Sequence, residues 1–144
     1  MVSGSALLIR QYFEEGRQPN GEIDPSRAFQ PSGTLVKAVL LNGAQNLFGV
    51  DNYPGGFVTP VEEYDNNQGF GELNLAHSLP LNGVSNFTAD VHDRIRIVDG
   101  AQDTYEYSVD GGCEMRGLSV TLVWADPPNP NSGKSPISGY SVQV

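Results

Sequence analysis

The spacing of apolar residues changes part-way along the chain, and this change constrains the fold more than any other feature. In the first half, apolar residues recur at the three- and four-residue intervals of one helix face: Val2, Ala6, Ile9 and Phe13. From about residue 86 onward, apolar and polar residues alternate, as they do along a half-buried strand. The pattern therefore predicts an α+β fold class, with helices followed by antiparallel strands.

Two helices are predicted from this spacing and from residues that suit helix ends. The first covers residues 2–15 and ends at Gly16, because glycine readily adopts the left-handed conformation found there. The second covers residues 32–44, with Ser32 as its N-cap. Its apolar stripe consists of Leu35, Val36, Val39 and Leu40. Gly4 and the serines beside it are poor helix formers in water, so the first helix is expected to pack inside a larger domain.

The alternating half of the chain predicts three strands, and residues 140–144 have the pattern of the start of another. The three cover residues 92–99, 104–110 and 117–125, with glycine-containing turn signals between them. Three or four short strands are too few to close a β-sandwich. The sequence therefore predicts a fragment of a larger fold.

Composition excludes several classes of partner and site. The net charge of −9, with only eight lysines and arginines, argues against nucleic acid, since phosphate binding needs clustered basic residues. Cys113 is the single cysteine, so no intrachain disulfide or cysteine-based metal site is expected. The apolar run over residues 6–9 is too short for a signal peptide, and no membrane-spanning segment is expected.

Four segments resemble, in the same order, parts of the subtilisin-like serine peptidases, the subtilase family. Residues 2–10, V-S-G-S-A-L-L-I-R, resemble the helix that follows the nucleophilic serine in that family. The next helix of the catalytic domain resembles residues 31–44, P-S-G-T-L-V-K-A-V-L-L-N-G-A. The segment that closes that domain resembles residues 67–75, N-Q-G-F-G-E-L-N-L. Residues 118–128 resemble a strand of the C-terminal jelly-roll domain of oxidant-resistant alkaline proteases.

The resemblance implies a boundary after residue 80. Residues 1–80 would form the C-terminal end of a subtilisin-like catalytic domain, and residues 81–144 the N-terminal part of an antiparallel β-sandwich of jelly-roll type. The implied activity of the intact parent is peptide-bond hydrolysis in proteins or peptides through an acyl-enzyme, outside the cell or in the secretory pathway. In the family, the serine lies a few residues before the position of Met1 and the other catalytic residues lie further upstream. No catalytic residue is therefore expected within this chain, and the chain alone is expected to be inactive.

Two alternative functions remain open at this point. One is a non-catalytic β-sandwich module that binds carbohydrate or protein, with the helices as an accessory. The other is a peptidase remnant that binds a peptidase partner. Exposed apolar surface on the first helix would favour the remnant, because such surface marks an interaction site.

Two further sites are predicted. Asn86-Phe87-Thr88 is an N-glycosylation sequon, with Asn86 as the acceptor in a secreted eukaryotic protein and an unmodified turn as the alternative. Calcium is the one cofactor implied by the family resemblance. The acids and amides of residues 62–67 could supply oxygen ligands, although their spacing matches no EF-hand loop and a solvated acidic loop is the simpler interpretation.

His77 and His92 are the only imidazoles of the chain. A triad of His92 with Asp90 or Asp93 and a serine such as Ser85 would resemble a hydrolase site in residue types alone. No nucleophile-elbow signature accompanies these residues. His92 is therefore interpreted as a solvated residue at the start of a strand.

Overall fold

The computed structural model describes residues 1–47, 50–52, 56–58, 68–98, 100–108 and 118–125. Within them the chain forms, in order, helices α1 (Val2–Glu14) and α2 (Gly33–Asn42), strands β1 (Val50–Asn52) and β2 (Gly56–Val58), and helix α3 (Leu75–Ser78). A 3-10 turn at Pro25–Arg27 lies between α1 and α2. The two strands are antiparallel, with Asp51 opposite Phe57. No helix among the described residues has the length and apolar character needed to cross a membrane.

Helix α1 ends where the sequence predicts, at a glycine in the left-handed region. Gly16 has a φ of 68°, and its amide donates to the Phe13 carbonyl at 3.0 Å. The Arg17 amide donates to the Tyr12 carbonyl at 3.1 Å, which completes the Schellman pattern of helix termination. The Tyr12 hydroxyl then donates to the Arg17 carbonyl at 2.9 Å and ties the turn back to the helix.

Helix α2 is capped as predicted and is slightly shorter than predicted. The Ser32 hydroxyl accepts a hydrogen bond from the Leu35 amide at 3.1 Å, which satisfies one of the free amides of the first turn. The helix ends at Asn42, with Gly43 as its C-cap. A Cβ at Gly43 would lie 2.4 Å from the Ser78 amide nitrogen, so only glycine lets the end of α3 approach α2 this closely.

The hydrophobic core lies where α1, α2 and the end of α3 meet. Its buried members are Ile9, Tyr12, Phe13, Leu35, Val36, Val39 and Leu79. The ring of Phe29, from the loop after α1, lies with its centroid 5.3 Å from that of the fully buried Phe13. Most of the predicted helix stripes are therefore buried, but Val2 is exposed because the core does not extend to the first turn of α1.

The predicted fold class, an α+β fragment with an antiparallel β-sandwich over residues 81–144, is wrong. None of the described residues in that range, which are 81–98, 100–108 and 118–125, belongs to a strand. The apolar residues of the predicted strands lie about half exposed: Ile95, Ile97, Tyr105, Tyr107, Leu118, Val120 and Leu122. Alternation shows which residues would share a face, but a strand exists only where a neighbouring chain segment completes its hydrogen bonds. The predicted strand over residues 140–144 lies outside the described residues. The alternative binding module loses the β-sandwich on which it was predicted, while its carbohydrate- or protein-binding function stays a prediction.

The second half of the chain is instead tied to the helices at separate points. The hydroxyls of Ser119 and Thr121 both donate to Oδ1 of Asn42, at 2.6 and 3.0 Å, at the end of α2. The Ala89 amide donates to the Pro19 carbonyl at 3.0 Å, in the loop after α1. These contacts join the segments to the helical part without building a sheet in the described parts of residues 81–144.

Candidate functional site

Three side chains with lone-pair donor atoms converge at one point on the surface. The His92 Nε2 atom lies 2.9 Å from the Tyr107 hydroxyl and 3.2 Å from Asp90 Oδ2. The Tyr107 hydroxyl in turn donates to Asp90 Oδ2 at 2.9 Å. Asp90, His92 and Tyr107 form the surface triad. All three side chains are substantially exposed, so solvent and solutes reach the triad.

The triad is oriented by contacts around it. The Tyr105 ring contacts the His92 ring at an interplanar angle of 42°, with a centroid separation of 4.3 Å. The other carboxylate oxygen of Asp90, Oδ1, accepts from the Val91 amide at 2.9 Å, which directs Oδ2 toward the triad. The hydrogen bond to Asp90 raises the pKa of the Tyr107 phenol, because its neutral form is the donor.

The segment that carries Asp90 and His92 is fixed to the N-terminus of α2 through Asp93. The two carboxylate oxygens of Asp93 accept from the Ser32 amide at 2.8 Å and from the Ser32 hydroxyl at 2.5 Å. The Arg94 guanidinium bridges Asp93 Oδ2 and the Gln30 carbonyl, at 3.1 and 2.9 Å. A carboxylate at a helix N-terminus also interacts favourably with the helix dipole. The platform under the triad is therefore anchored to the core.

The sequence suggested a possible triad of His92, Asp90 or Asp93, and Ser85, and the structure brings only two of these residues together. Asp90 and His92 are in contact, whereas Asp93 faces Ser32. The hydroxyl of Ser85 accepts from the Leu81 amide at 2.9 Å, within its own turn. Sequence reasoning missed Tyr107, because the alternating pattern placed it in the predicted strand over residues 104–110 and gave no sign of a contact with His92.

A second polar cluster closes the segment over residues 68–75 onto the end of α2. Gln45 and Glu72 exchange backbone hydrogen bonds of 2.8 and 2.6 Å. The Asn74 side chain caps α3 and donates to Gln45 Oε1 at 3.0 Å, while Gln45 Nε2 contacts His77 Nδ1. The described polar contacts of this cluster are made among its own residues. They join the 68–75 segment to the end of α2, so we interpret the cluster as structural.

Among the described residues, no group of three or more histidine, cysteine, aspartate or glutamate side chains is placed to hold a metal ion. The predicted calcium ligands of residues 62–67 and the single Cys113 lie outside the described residues. Asn86 lies exposed in a bend, and Thr88 of its sequon is exposed as well. The sequon is therefore sterically accessible in this fold.

The other groups with shifted pKa values lie in the last turn of α1 and in the loop that follows it. Burial raises the pKa of Tyr12 to about 12, since the phenolate would be poorly solvated beside the core. Hydrogen bonds from Gln11 and Arg17 lower the pKa of Glu15, and those from Ser26 lower the pKa of Asp24. These groups stabilise helix and turn ends and form no common site.

Comparison with known proteins gives two relatives, both from Dictyostelium discoideum. The serine protease/ABC transporter B family protein tagA is 31% identical over 147 residues, which cover 99% of this chain and 7% of tagA. The serine protease/ABC transporter B family protein tagD is 39% identical over 49 residues, which cover 34% of this chain and 3% of tagD. This chain is related to proteins named as serine proteases. It spans only a small fraction of their length. No family model and no solved structure matches the chain.

Proposed function

We propose that this chain is part of a subtilisin-like serine endopeptidase, with residues 1–80 at the end of its catalytic domain. The observation that carries the proposal is the similarity to tagA, a protein named as a serine protease, along 99% of the chain. Three segments that resemble subtilases, residues 2–10, 31–44 and 67–75, support the subtilisin-like family in particular. The substrates would be proteins or peptides.

The surface of α1 fits burial against another protein surface, either the rest of a larger domain or the partner of the alternative peptidase remnant. Leu7 and Leu8 lie 67% and 55% exposed, on the sides of the helix that face away from Ile9 and Phe13. Exposed large apolar side chains that are adjacent on one helix are surface that packing against another protein surface would bury. In the proposal, the remainder of the catalytic domain covers Leu7 and Leu8.

The proposal is tested by sequencing the complete transcript and expressing the protein it encodes. We expect a continuous frame that encodes Gly-Thr-Ser-x-Ala-x-Pro shortly before Met1, and a product that reacts with a fluorophosphonate probe. Changing the serine of that motif to alanine should abolish labelling, because the nucleophile would be gone. The 144-residue chain alone should not be labelled, since it contains no such motif.

Matched variants of the full product separate the role of α1 from general destabilisation. Leu7→Asn should reduce probe labelling, because it would place an amide in the interface with the rest of the domain. Ile97→Asn, at a similarly exposed apolar residue, should leave labelling unchanged. A frame that stops before Met1 would contradict the proposal and favour a remnant whose exposed α1 surface binds a peptidase partner.

The proposed function places the protein outside the cell or in the secretory pathway, and we propose Asn86 as a glycosylation site there. The support is the exposure of Asn86 and Thr88, since the transferase must reach both. Secretory expression in a eukaryotic host should give a product whose mass falls on treatment with peptide N-glycosidase. The Asn86→Gln protein should migrate at the lower mass without treatment. Identical masses for treated and untreated protein would exclude the modification.

A further inference from the structure

The donor atoms of the surface triad, Asp90, His92 and Tyr107, lie at separations that hydrogen-bonded clusters and metal sites share. Its three donor-atom separations are 2.9, 2.9 and 3.2 Å. Metal–ligand distances of about 2.0–2.2 Å with octahedral to tetrahedral angles place neighbouring donors about 2.8–3.6 Å apart. All three separations fall in this range, so one ion could contact all three donor atoms without a large movement.

We propose that Asp90, His92 and Tyr107 bind a divalent transition-metal ion of the zinc or copper class. One imidazole nitrogen and two oxygens form a mixed donor set that suits these ions better than calcium or magnesium, which bind through oxygen alone. The negative charge of Asp90 and the chain's net charge of −9 both favour a cation. The assignment does not depend on the proposed peptidase function.

The contacts around the triad hold its ligands in place before an ion arrives. The Val91 amide donates to one carboxylate oxygen of Asp90, and the Tyr105 ring lies in contact with the His92 ring. Such outer contacts commonly orient metal ligands in proteins. The clamp between Asp93 and Ser32 holds the backbone of this segment on α2. The ligand atoms therefore lie close together before an ion arrives, and binding would exchange the hydrogen bond between Tyr107 and Asp90 for bonds to the metal.

Binding would release protons and leave room for a further ligand. The ion requires Tyr107 as a phenolate and His92 with a lone pair on Nε2, so the phenolic proton passes to water as the metal–oxygen bond forms. The exposed side of the triad is open to solvent, and water would complete the coordination. A three-ligand site with an open position is the arrangement found where a metal acts on a further molecule, in contrast to closed structural sites.

The experiment measures Zn²⁺ binding by calorimetry and Cu²⁺ binding by absorption, with the chain in a Cys113→Ser background so that the thiol neither binds nor reduces the ion. We expect one ion per chain, and for Cu²⁺ a visible phenolate-to-copper charge-transfer band. Tyr107→Phe should remove that band. His92→Ala should weaken binding of both ions by roughly tenfold or more, in the range found when metal-site contacts are lost.

The second histidine of the chain supplies the matched control. His77 contacts Gln45 in the other polar cluster, so His77→Ala should leave the affinity and the absorption band unchanged. Circular dichroism of every variant shows whether the helices remain. The proposal is overturned if neither ion binds, if His92→Ala and Tyr107→Phe bind as the parent does, or if His77→Ala weakens binding equally.

Discussion

Replacing Phe13 by alanine is expected to lower the free energy of unfolding by about 3–5 kcal/mol, the range for removal of a large buried aromatic side chain. Phe13 is 1% exposed and lies in ring contact with Tyr12 and Phe29. It joins α1 to the loop that follows it, where the Phe29 amide also donates to the Phe13 carbonyl at 3.1 Å. The loss would include both the transfer of the ring to water and the cavity it leaves.

Leu8→Ala is the matched control for this prediction. It also truncates a large apolar residue of α1, but Leu8 is exposed in the chain and loses little buried area. Its effect should stay within about 0.5 kcal/mol, as for most surface substitutions. Urea unfolding followed by the helical circular dichroism signal measures both variants. Equal destabilisation by Phe13→Ala and Leu8→Ala would mean that the core does not lie on the described face of α1.

Gly71→Ala is expected to break the backbone hydrogen bonds between Gln45 and Glu72, which join the 68–75 segment to the end of α2. Gly71 has a φ of 92°, and a Cβ there would lie 2.0 Å from the Gln45 carbonyl oxygen. Strain at the positive φ costs about 1–2 kcal/mol, and overpacking against a fixed backbone adds about 1–3 kcal/mol. The total of about 2–5 kcal/mol should appear as a lower urea midpoint. Faster hydrogen exchange of the Gln45 and Glu72 amides should accompany it.

The nearby Gly69 allows the strain of the positive φ to be measured separately from the overpacking. It also has a positive φ, 61°, but a Cβ there would meet nothing within 4 Å. Gly69→Ala should therefore carry only the backbone strain, about 1–2 kcal/mol less the gain from a stiffer unfolded chain. If the two alanine variants unfold at the same urea concentration, the contact between Gly71 and Gln45 is not closely packed.

The two longer helices, α1 and α2, could be predicted because their signals are local, whereas the short helix α3 was not predicted. The side-chain cap at Ser32 and the left-handed turn at Gly16 act within a few residues of the helix ends they fix. The burial of Ile9, Phe13 and Val39 follows the helical period, so the sequence alone identified the faces that meet in the core. Only the ends differ, by one or two residues.

The second half could not be predicted from its pattern, because a strand depends on a partner that the pattern does not specify. Ile97 and Leu122 alternate with polar residues as strand residues do, yet both lie half exposed outside any strand. Their neighbours bond instead to helix ends and loops, as Ser119 does to Asn42. Such side-chain contacts between residues 77 positions apart leave no periodic trace in the sequence.

The candidate site was predictable only in part for a similar reason. Asp90 and His92 are two residues apart, and their contact could be anticipated from proximity along the chain. Tyr107 reaches them from 15 residues beyond His92. Its role depends on a backbone path that departs from the strand it was assigned to, so no local signal could have revealed it.

A single amide oxygen at the end of α2 sets the register of the segment over residues 118–122. Ser119 and Thr121, two positions apart, both donate to Oδ1 of Asn42. A slip of one residue would present Val120 to that oxygen in their place and leave it without these two donors. Asn42 therefore selects Ser119 and Thr121 as the residues of this segment that lie against the end of α2.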